Sequence, residues 1–276
     1  MKKRLLVLMS IMLVASLALT GCGGDKGANN EEDNTFVVGM EAGYAPFNWS
    51  QLDDSNGAVK IDGLQEYAGG YDVEMAKRIA EGLGKELVIQ KIGWDGLEPA
   101  VSSGVIDAIM AGMSPTDERR EAMDFTDNYY TSDLVMIVKK GSEFENAKSI
   151  QDFSGAKITG QQGTFHYVVI DQIDGVIKDT AMQDFPSMRV ALESGIIDGY
   201  VSEKPEGISV IDAGLDFAMV EFEDGFVASE DEISISVGLK KNSELTEKIN
   251  EILSTISDEE RQEIMEEVVK KQPVNQ

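Results

Sequence analysis

The chain has 276 residues, 42% of them hydrophobic, and carries a formal charge of −26 at pH 7. This composition excludes a disordered chain and provides for one large or two moderate globular domains. It also excludes a nucleic-acid binder, which needs clustered Lys and Arg, whereas a cationic small molecule is attracted from a distance.

Lys2, Lys3 and Arg4 precede an apolar run over residues 5–19. The run is too short, and too close to a small-residue cleavage site, for a stable membrane span, so residues 1–21 read as a secretory signal. Leu19-Thr20-Gly21-Cys22 resembles the lipobox of bacterial lipoproteins. That resemblance implies a lipid on Cys22 and an anchored protein on the outer face of the cell membrane. Cys22 is the only cysteine, which excludes an internal disulfide, a thiol nucleophile elsewhere and a cysteine metal site. Residues 22–35, rich in Gly, Asn and acid, read as a flexible tether.

From Phe36 onward, short apolar strands alternate with amphipathic helices. Strands are predicted at 36–40, 87–92 and 106–110. Helices are predicted at 71–83, where Ala76, Ile79, Ala80 and Leu83 share a face before Gly84, and at 97–103, ended by Gly104. Thr116 reads as an N-cap, with Asp117 and Glu118 in the first turn. The rhythm predicts an α/β fold with helices on both faces of a parallel or mixed sheet. Ser103-Gly104-Val105-Ile106-Asp107-Ala108 recurs as Ser194-Gly195-Ile196-Ile197-Asp198-Gly199, which predicts two lobes of related design. The second lobe would hold a strand at Lys157, a helix at Phe165 and a strand at Ile197. Residues 245–271 read as one or two amphipathic helices.

Ligands of open α/β sheets gather at the C-terminal ends of strands, here 41–47, 111–119, 161–164 and 202–204. Arg119 stands in the first turn of a helix, where a cation opposes the dipole unless an anion is held there; its guanidinium can grip a carboxylate with two hydrogen bonds. The alternative is a surface ion pair with Glu118 or Asp124. Gly160-Gln161-Gln162-Gly163-Thr164 is a strand-to-helix turn in which Gly163 admits a ligand to the backbone and Thr164 can cap the helix. Glu203 ends a buried strand and can accept from an ammonium group, or pair with Lys204. Tyr44, Phe47 and Trp94 can sandwich an aliphatic or cationic stem, or pack in the core. The single histidine, His166, lies inside a predicted helix and reads as packing or surface.

Taken in order, Gly39-Met40-Glu41-Ala42-Gly43-Tyr44-Ala45-Pro46-Phe47, Gly70-Tyr71-Asp72-Val73, Trp94-Asp95-Gly96-Leu97-Glu98-Pro99, Ile106-Asp107-Ala108-Ile109, Met113-Ser114-Pro115-Thr116 with Arg119, and Asp124-Phe125-Thr126 resemble the solute-binding proteins for polar amino acids that serve ABC importers. The resemblance runs from about residue 36 to the C-terminus. It implies a two-lobed, periplasmic-binding-protein-like type II fold with two hinge strands. Lobe 1 would be 36–130 plus 236–276, lobe 2 134–230, and the hinges about 131–133 and 231–235. By position, Arg119 would hold a ligand α-carboxylate, helped by the N–H of Thr164 in the turn that includes Gln161. Glu203 stands where the family usually has an aspartate on the α-ammonium, joined there by the Gly112 carbonyl and the Ser114 hydroxyl. Tyr44 and Trp94 would flank the side chain, and Glu41 would meet a distal cation. Two departures stand out: Ala111-Gly112 replaces a common pair of serines, and Glu203 is one methylene longer than the usual aspartate.

The implied protein is a monomer outside the cytoplasm that needs no cofactor or metal and hands its ligand to a permease and ATPase complex. The expected ligand is arginine, lysine or histidine, with a neutral polar amino acid such as glutamine or cystine as the alternative. A sensory lipoprotein or an enzyme on the same fold are rivals from other classes. The chain offers no Ser-His-Asp set, His/Cys metal spacing or nucleotide loop to support catalysis.

Overall fold

Two five-stranded sheets of matching plan arise from this alternation, and the chain crosses between them twice. The computed structural model describes residues 34–273; the predicted signal, Cys22 and the tether up to residue 33 lie outside the described residues. In chain order, β1 (Thr35–Met40) leads into a small sheet of β2 (Gly43–Tyr44), β3 (Asn48–Gln51), β4 (Val59–Lys60) and β5 (Tyr67–Gly69). Then come α1 (Tyr71–Leu83), β6 (Glu86–Lys91), α2 (Trp94–Ser103), β7 (Ala108–Ile109), α3 (Asp117–Ala122) and β8 (Met123–Thr131). The next stretch holds β9 (Leu134–Lys139), β10 (Lys157–Thr159), α4 (Phe165–Val168), β11 (Ile177–Lys178), α5 (Phe185–Glu193), β12 (Gly199–Glu203), α6 (Lys204–Asp212) and β13 (Phe217–Val220). Finally come α7 (Glu230–Ile233), β14 (Ser234–Lys240), α8 (Leu245–Leu253) and α9 (Asp258–Lys271).

The first sheet has the order β6-β1-β7-β14-β8 and the second β11-β10-β12-β9-β13. In each, three parallel strands are followed by an antiparallel one that has just arrived from the other lobe: β14 in the first, β9 in the second. The crossings run side by side, with the Ser132 N–H donating to the Ile233 carbonyl at 3.1 Å and Thr131 paired with Ser234 in register. Helix α9 leaves the first lobe and lies against α6 of the second, where Gln272 Nε2 donates to the Ser209 carbonyl at 2.8 Å.

The internal repeat has a physical cause. Asp107 Oδ2 accepts from the Val37 N–H and Asp198 Oδ2 from the Lys157 N–H, both at 2.8 Å. The N–H of each aspartate returns to the carbonyl of the same residue. Gly104 and Gly195, with φ of 79° and 72°, supply the left-handed residue that ends the helix before it. The same stitch therefore joins β1 to β7 and β10 to β12. The turn consumes residues 105–107, and so the strand expected over 106–110 shortens to Ala108–Ile109.

Helix α1 covers the predicted span and ends on Gly84, whose N–H reaches the carbonyls of Ala80 and Glu81. It buries Tyr71, Val73, Met75, Ala76, Ile79 and Ala80; a fully buried large side chain contributes about 1.5–3 kcal/mol. Its first N–H groups are capped by backbone, Tyr71 on the Pro46 carbonyl (2.9 Å) and Asp72 on that of Phe47 (2.8 Å). Gly70 makes this approach possible: a Cβ there would lie 2.3 Å from the Phe47 oxygen. The loop at 41–47 is thereby pinned to a rigid helix end.

Candidate functional site

The first wall of the cleft begins on that loop. Tyr44 is buried, and its ring stacks on Phe185 of the second lobe, with centroids 4.0 Å apart and planes 13° apart. Its hydroxyl donates to Glu203. Gly112 leaves room for the ring: its φ is 63°, and a Cβ there would sit 2.8 Å from Tyr44 Cε1. This accounts for glycine at this position. The Gly112 N–H in turn supports the buried Asp72, which also accepts from Tyr129 (2.5 Å) and Asn48 (2.8 Å).

Arg119 sits at the start of α3, where its own N–H is capped by Thr116 at 3.4 Å. Its guanidinium donates to the Ser114 carbonyl at 2.8 Å and, across the cleft, to the Gly163 carbonyl at 3.0 Å. It lies 5.0 Å from the Trp94 ring centroid, within cation–π range. The alternative ion pair with Asp124 does not form, because Asp124 pairs with Lys241 at 3.2 Å. Burial pushes the guanidinium down to about 10, against the pull of Glu98 and Glu118, so it stays charged at neutral pH. Two open cavities meet at Arg119 and Gly163. One, of about 420 Å³, is lined by Trp94, Glu98 and Met113; the other, of about 1000 Å³, by Thr116, Thr164 and Glu232.

The second wall carries Gln161, Thr164, His166, Phe185 and Glu203. Gln161 Nε2 reaches both Glu41 oxygens at 3.1 Å and the Gln183 carbonyl at 3.1 Å. Burial raises the Glu41 carboxyl to about 7; the Gln161 donor opposes this, while Asp184 and Asp95 add to it. Glu203 is 1% exposed, with Tyr44 on one oxygen and His166 Nε2 3.8 Å from the other.

The structure thus brings Glu41 to Gln161, Tyr44 to Gly112 and Glu203, and Trp94 to Arg119, but it uses two predicted hydroxyls differently. Ser114 Oγ donates to the Glu232 carbonyl at 2.9 Å, beside the chain crossing. Thr164 starts α4 without capping it; its hydroxyl donates back to the Gln161 carbonyl at 2.8 Å and tightens the turn. His166, read as packing or surface, is buried against Glu203. Phe185 and Asp184 were not singled out from the sequence. Their signal is the run Asp184-Phe185-Pro186-Ser187, an N-cap followed by proline in the first turn, which marks a helix start. Asp184 does cap α5, accepting from the Ser187 N–H at 2.8 Å.

Several known proteins are similar to this chain over nearly their full lengths. The arginine-binding extracellular protein ArtP of Bacillus subtilis is 26% identical over 272 residues, 94% of this chain and 94% of that protein. The L-cystine-binding protein TcyJ of Escherichia coli K12 is 27% identical over 256 residues, 92% of this chain and 89% of that protein. In three dimensions, the L-arginine-bound crystal structure of AbpA, an amino acid ABC transporter substrate-binding protein of Streptococcus pneumoniae, superimposes with a TM-score of 0.74. It is 26% identical and covers 87% of this chain and 96% of that one. Residues 36–271 match the bacterial extracellular solute-binding proteins, family 3, and the chain belongs to that family.

Proposed function

We propose that this protein is the extracytoplasmic substrate-binding component of an amino acid ABC importer, and that its cleft holds one free L-amino acid with a cationic side chain: arginine, lysine or histidine. The observation that carries the choice of side chain is Glu41. It is half-buried in the cleft, and Asp95 and Asp184 add negative charge around it. A ligand cation there would relieve both the desolvation and the repulsion. Arg119 would take the α-carboxylate with donors beyond the two that reach carbonyls, assisted by the Thr164 N–H. Glu203 would take the α-ammonium, and the Tyr44 and Trp94 rings would flank the stem. The family binds solutes rather than transforming them.

In this reading, lobe 1 (36–130 plus 236–276) and lobe 2 (134–230) close about hinges near 131–133 and 231–235. The protein works as a monomer and delivers its ligand to a permease and ATPase complex. Cys22 carries the lipid anchor; since one acyl chain binds a membrane only marginally, stable retention implies more than one chain. Cys22→Ser should release the protein from the membrane fraction without altering ligand affinity of the soluble body.

One observation favours a neutral ligand instead: the amide of Gln161 already satisfies both Glu41 oxygens, so an uncharged amide such as that of glutamine suits the same position. A thermal-shift screen of free amino acids separates these readings, because a ligand that binds only the folded state raises the midpoint. Arginine, lysine or histidine should give the largest rise. A rise with glutamine or cystine alone would retain transport and reject the basic ligand, and no rise with any amino acid would reject both.

A further inference from the structure

We propose that His166 is a pH-sensitive positioning residue for Glu203, so that ligand capture weakens on acidification. The inference rests on the reading of Glu203 as the α-ammonium partner and goes beyond it. His166 is the single histidine of the chain and is only 9% exposed. Its Nε2 lies 3.8 Å from Glu203 Oε1, too far for a hydrogen bond but within ion-pair reach once the ring is protonated. Its Nδ1 is buried without a hydrogen-bond partner. The ring is fixed edge-to-face against Phe185, with centroids 6.2 Å apart and planes at 78°.

The groups around the ring can be followed element by element. From β12, Glu203 presents one oxygen to His166 while its other oxygen accepts from Tyr44 of the first lobe. Phe185 of α5 is uncharged. Behind Phe185, Tyr200 and Glu206 meet, and Glu206 is paired with Arg189 at 3.1 Å. On the helix of His166 itself, Tyr167 carries Lys178 over its ring at 4.1 Å and donates to the Asp179 carbonyl. Glu203 is therefore the anion whose contact with His166 changes on protonation.

A protonated imidazole and a ligand ammonium would compete for one carboxylate, and two cations at one site oppose each other. Histidine changes charge between about pH 5 and pH 8, whereas the α-ammonium of a free amino acid stays charged across that range. By linkage, protonating His166 lowers ligand affinity, and bound ligand lowers proton affinity by the same factor. Affinity is thus retained at higher pH and lost as pH falls.

Titration calorimetry of the wild-type soluble body with L-arginine, and in parallel with L-glutamine, tests this at about pH 7.5 and about pH 5.5. Wild-type affinity should fall about tenfold more than that of His166 variants, one unit of log K for coupling of about 1.4 kcal/mol. His166→Gln and His166→Phe should keep only the shallower fall that Glu41 contributes, whatever their affinity at the higher pH. Glu41 also titrates near neutrality; its contribution is common to all variants, so the difference between profiles is the readout. Superimposable profiles for wild type and both variants would overturn the role of His166 and leave the cleft assignment intact. Failure of wild type to bind either amino acid at any pH would overturn both.

Discussion

The two walls of the cleft are built by different means. On the first lobe, backbone holds the site: the N–H groups of α1 grip the loop that carries Glu41 and Tyr44, and glycines at 70 and 112 allow close approach. The second lobe's residues are held by side chains, two of them reaching across to the first lobe: Gln161 on Glu41, Phe185 on Tyr44, and His166 beside Glu203. The first wall is thus a fixed platform. The second is a cluster whose charges and rings respond to what lies opposite.

The sharpest way to break this comparison is to remove the charge that the platform offers. Arg119→Ala should weaken every amino acid ligand about thirtyfold or more, the loss expected when one partner of a buried, charge-assisted pair is deleted at a cost of about 2–5 kcal/mol. Calorimetry reads the loss, and thermal unfolding should show the fold intact, since the guanidinium contacts only two carbonyls and the Trp94 face.

A smaller effect tests the backbone side. Gly112→Ala places a Cβ at a left-handed φ of 63° and 2.8 Å from the Tyr44 ring. It should destabilise the protein by about 1–2 kcal/mol. Gly43→Ala, whose Cβ would meet only Pro186 at 3.9 Å, should be close to neutral. Equal stability of the two variants, measured by urea unfolding, would mean that the ring does not depend on this glycine.

The smallest effect concerns pH. Burial lifts the Asp72 carboxyl to about 7, against the donors from Tyr129, Asn48 and Gly112; burial also lifts Glu41 to about 7. Both groups hold a proton more tightly in the folded chain than in the unfolded one. Their contribution is fully present below about pH 4 and is lost as pH rises through 7. The melting midpoint should therefore fall by a few degrees between about pH 5 and pH 8, and Asp72→Asn should flatten that slope. A midpoint that rises over this range would contradict the assignment.

This difference in construction also decides what could be read from the sequence. The platform leaves local marks: Gly70 before a helix, an N-cap at Thr116, Arg119 placed against its helix dipole. The stitch repeated at Asp107 and Asp198 was visible as six similar residues, and it foretold two lobes of one design. The helix expected from residue 97 begins instead at Trp94, which is buried. On the second wall, Glu203, Gln161 and Thr164 were placed by their positions at strand ends. Nothing local says that His166 and Phe185 meet them, because that meeting depends on how α4 and α5 pack beside β12. The partner of Ser114 was hidden for a related reason: its hydroxyl donates to the Glu232 carbonyl, over 100 residues away in sequence.

The central claim is that Glu41 reads a ligand cation in a cleft closed by both walls. The most direct test is calorimetric titration with L-arginine and with L-citrulline, its uncharged isostere, on wild type and Glu41→Gln. Wild type should prefer arginine by about tenfold or more, the worth of one hydrogen bond between charged groups, and Glu41→Gln should erase that preference. Equal affinity of wild type for the two ligands, or a preference that survives Glu41→Gln, would contradict the account.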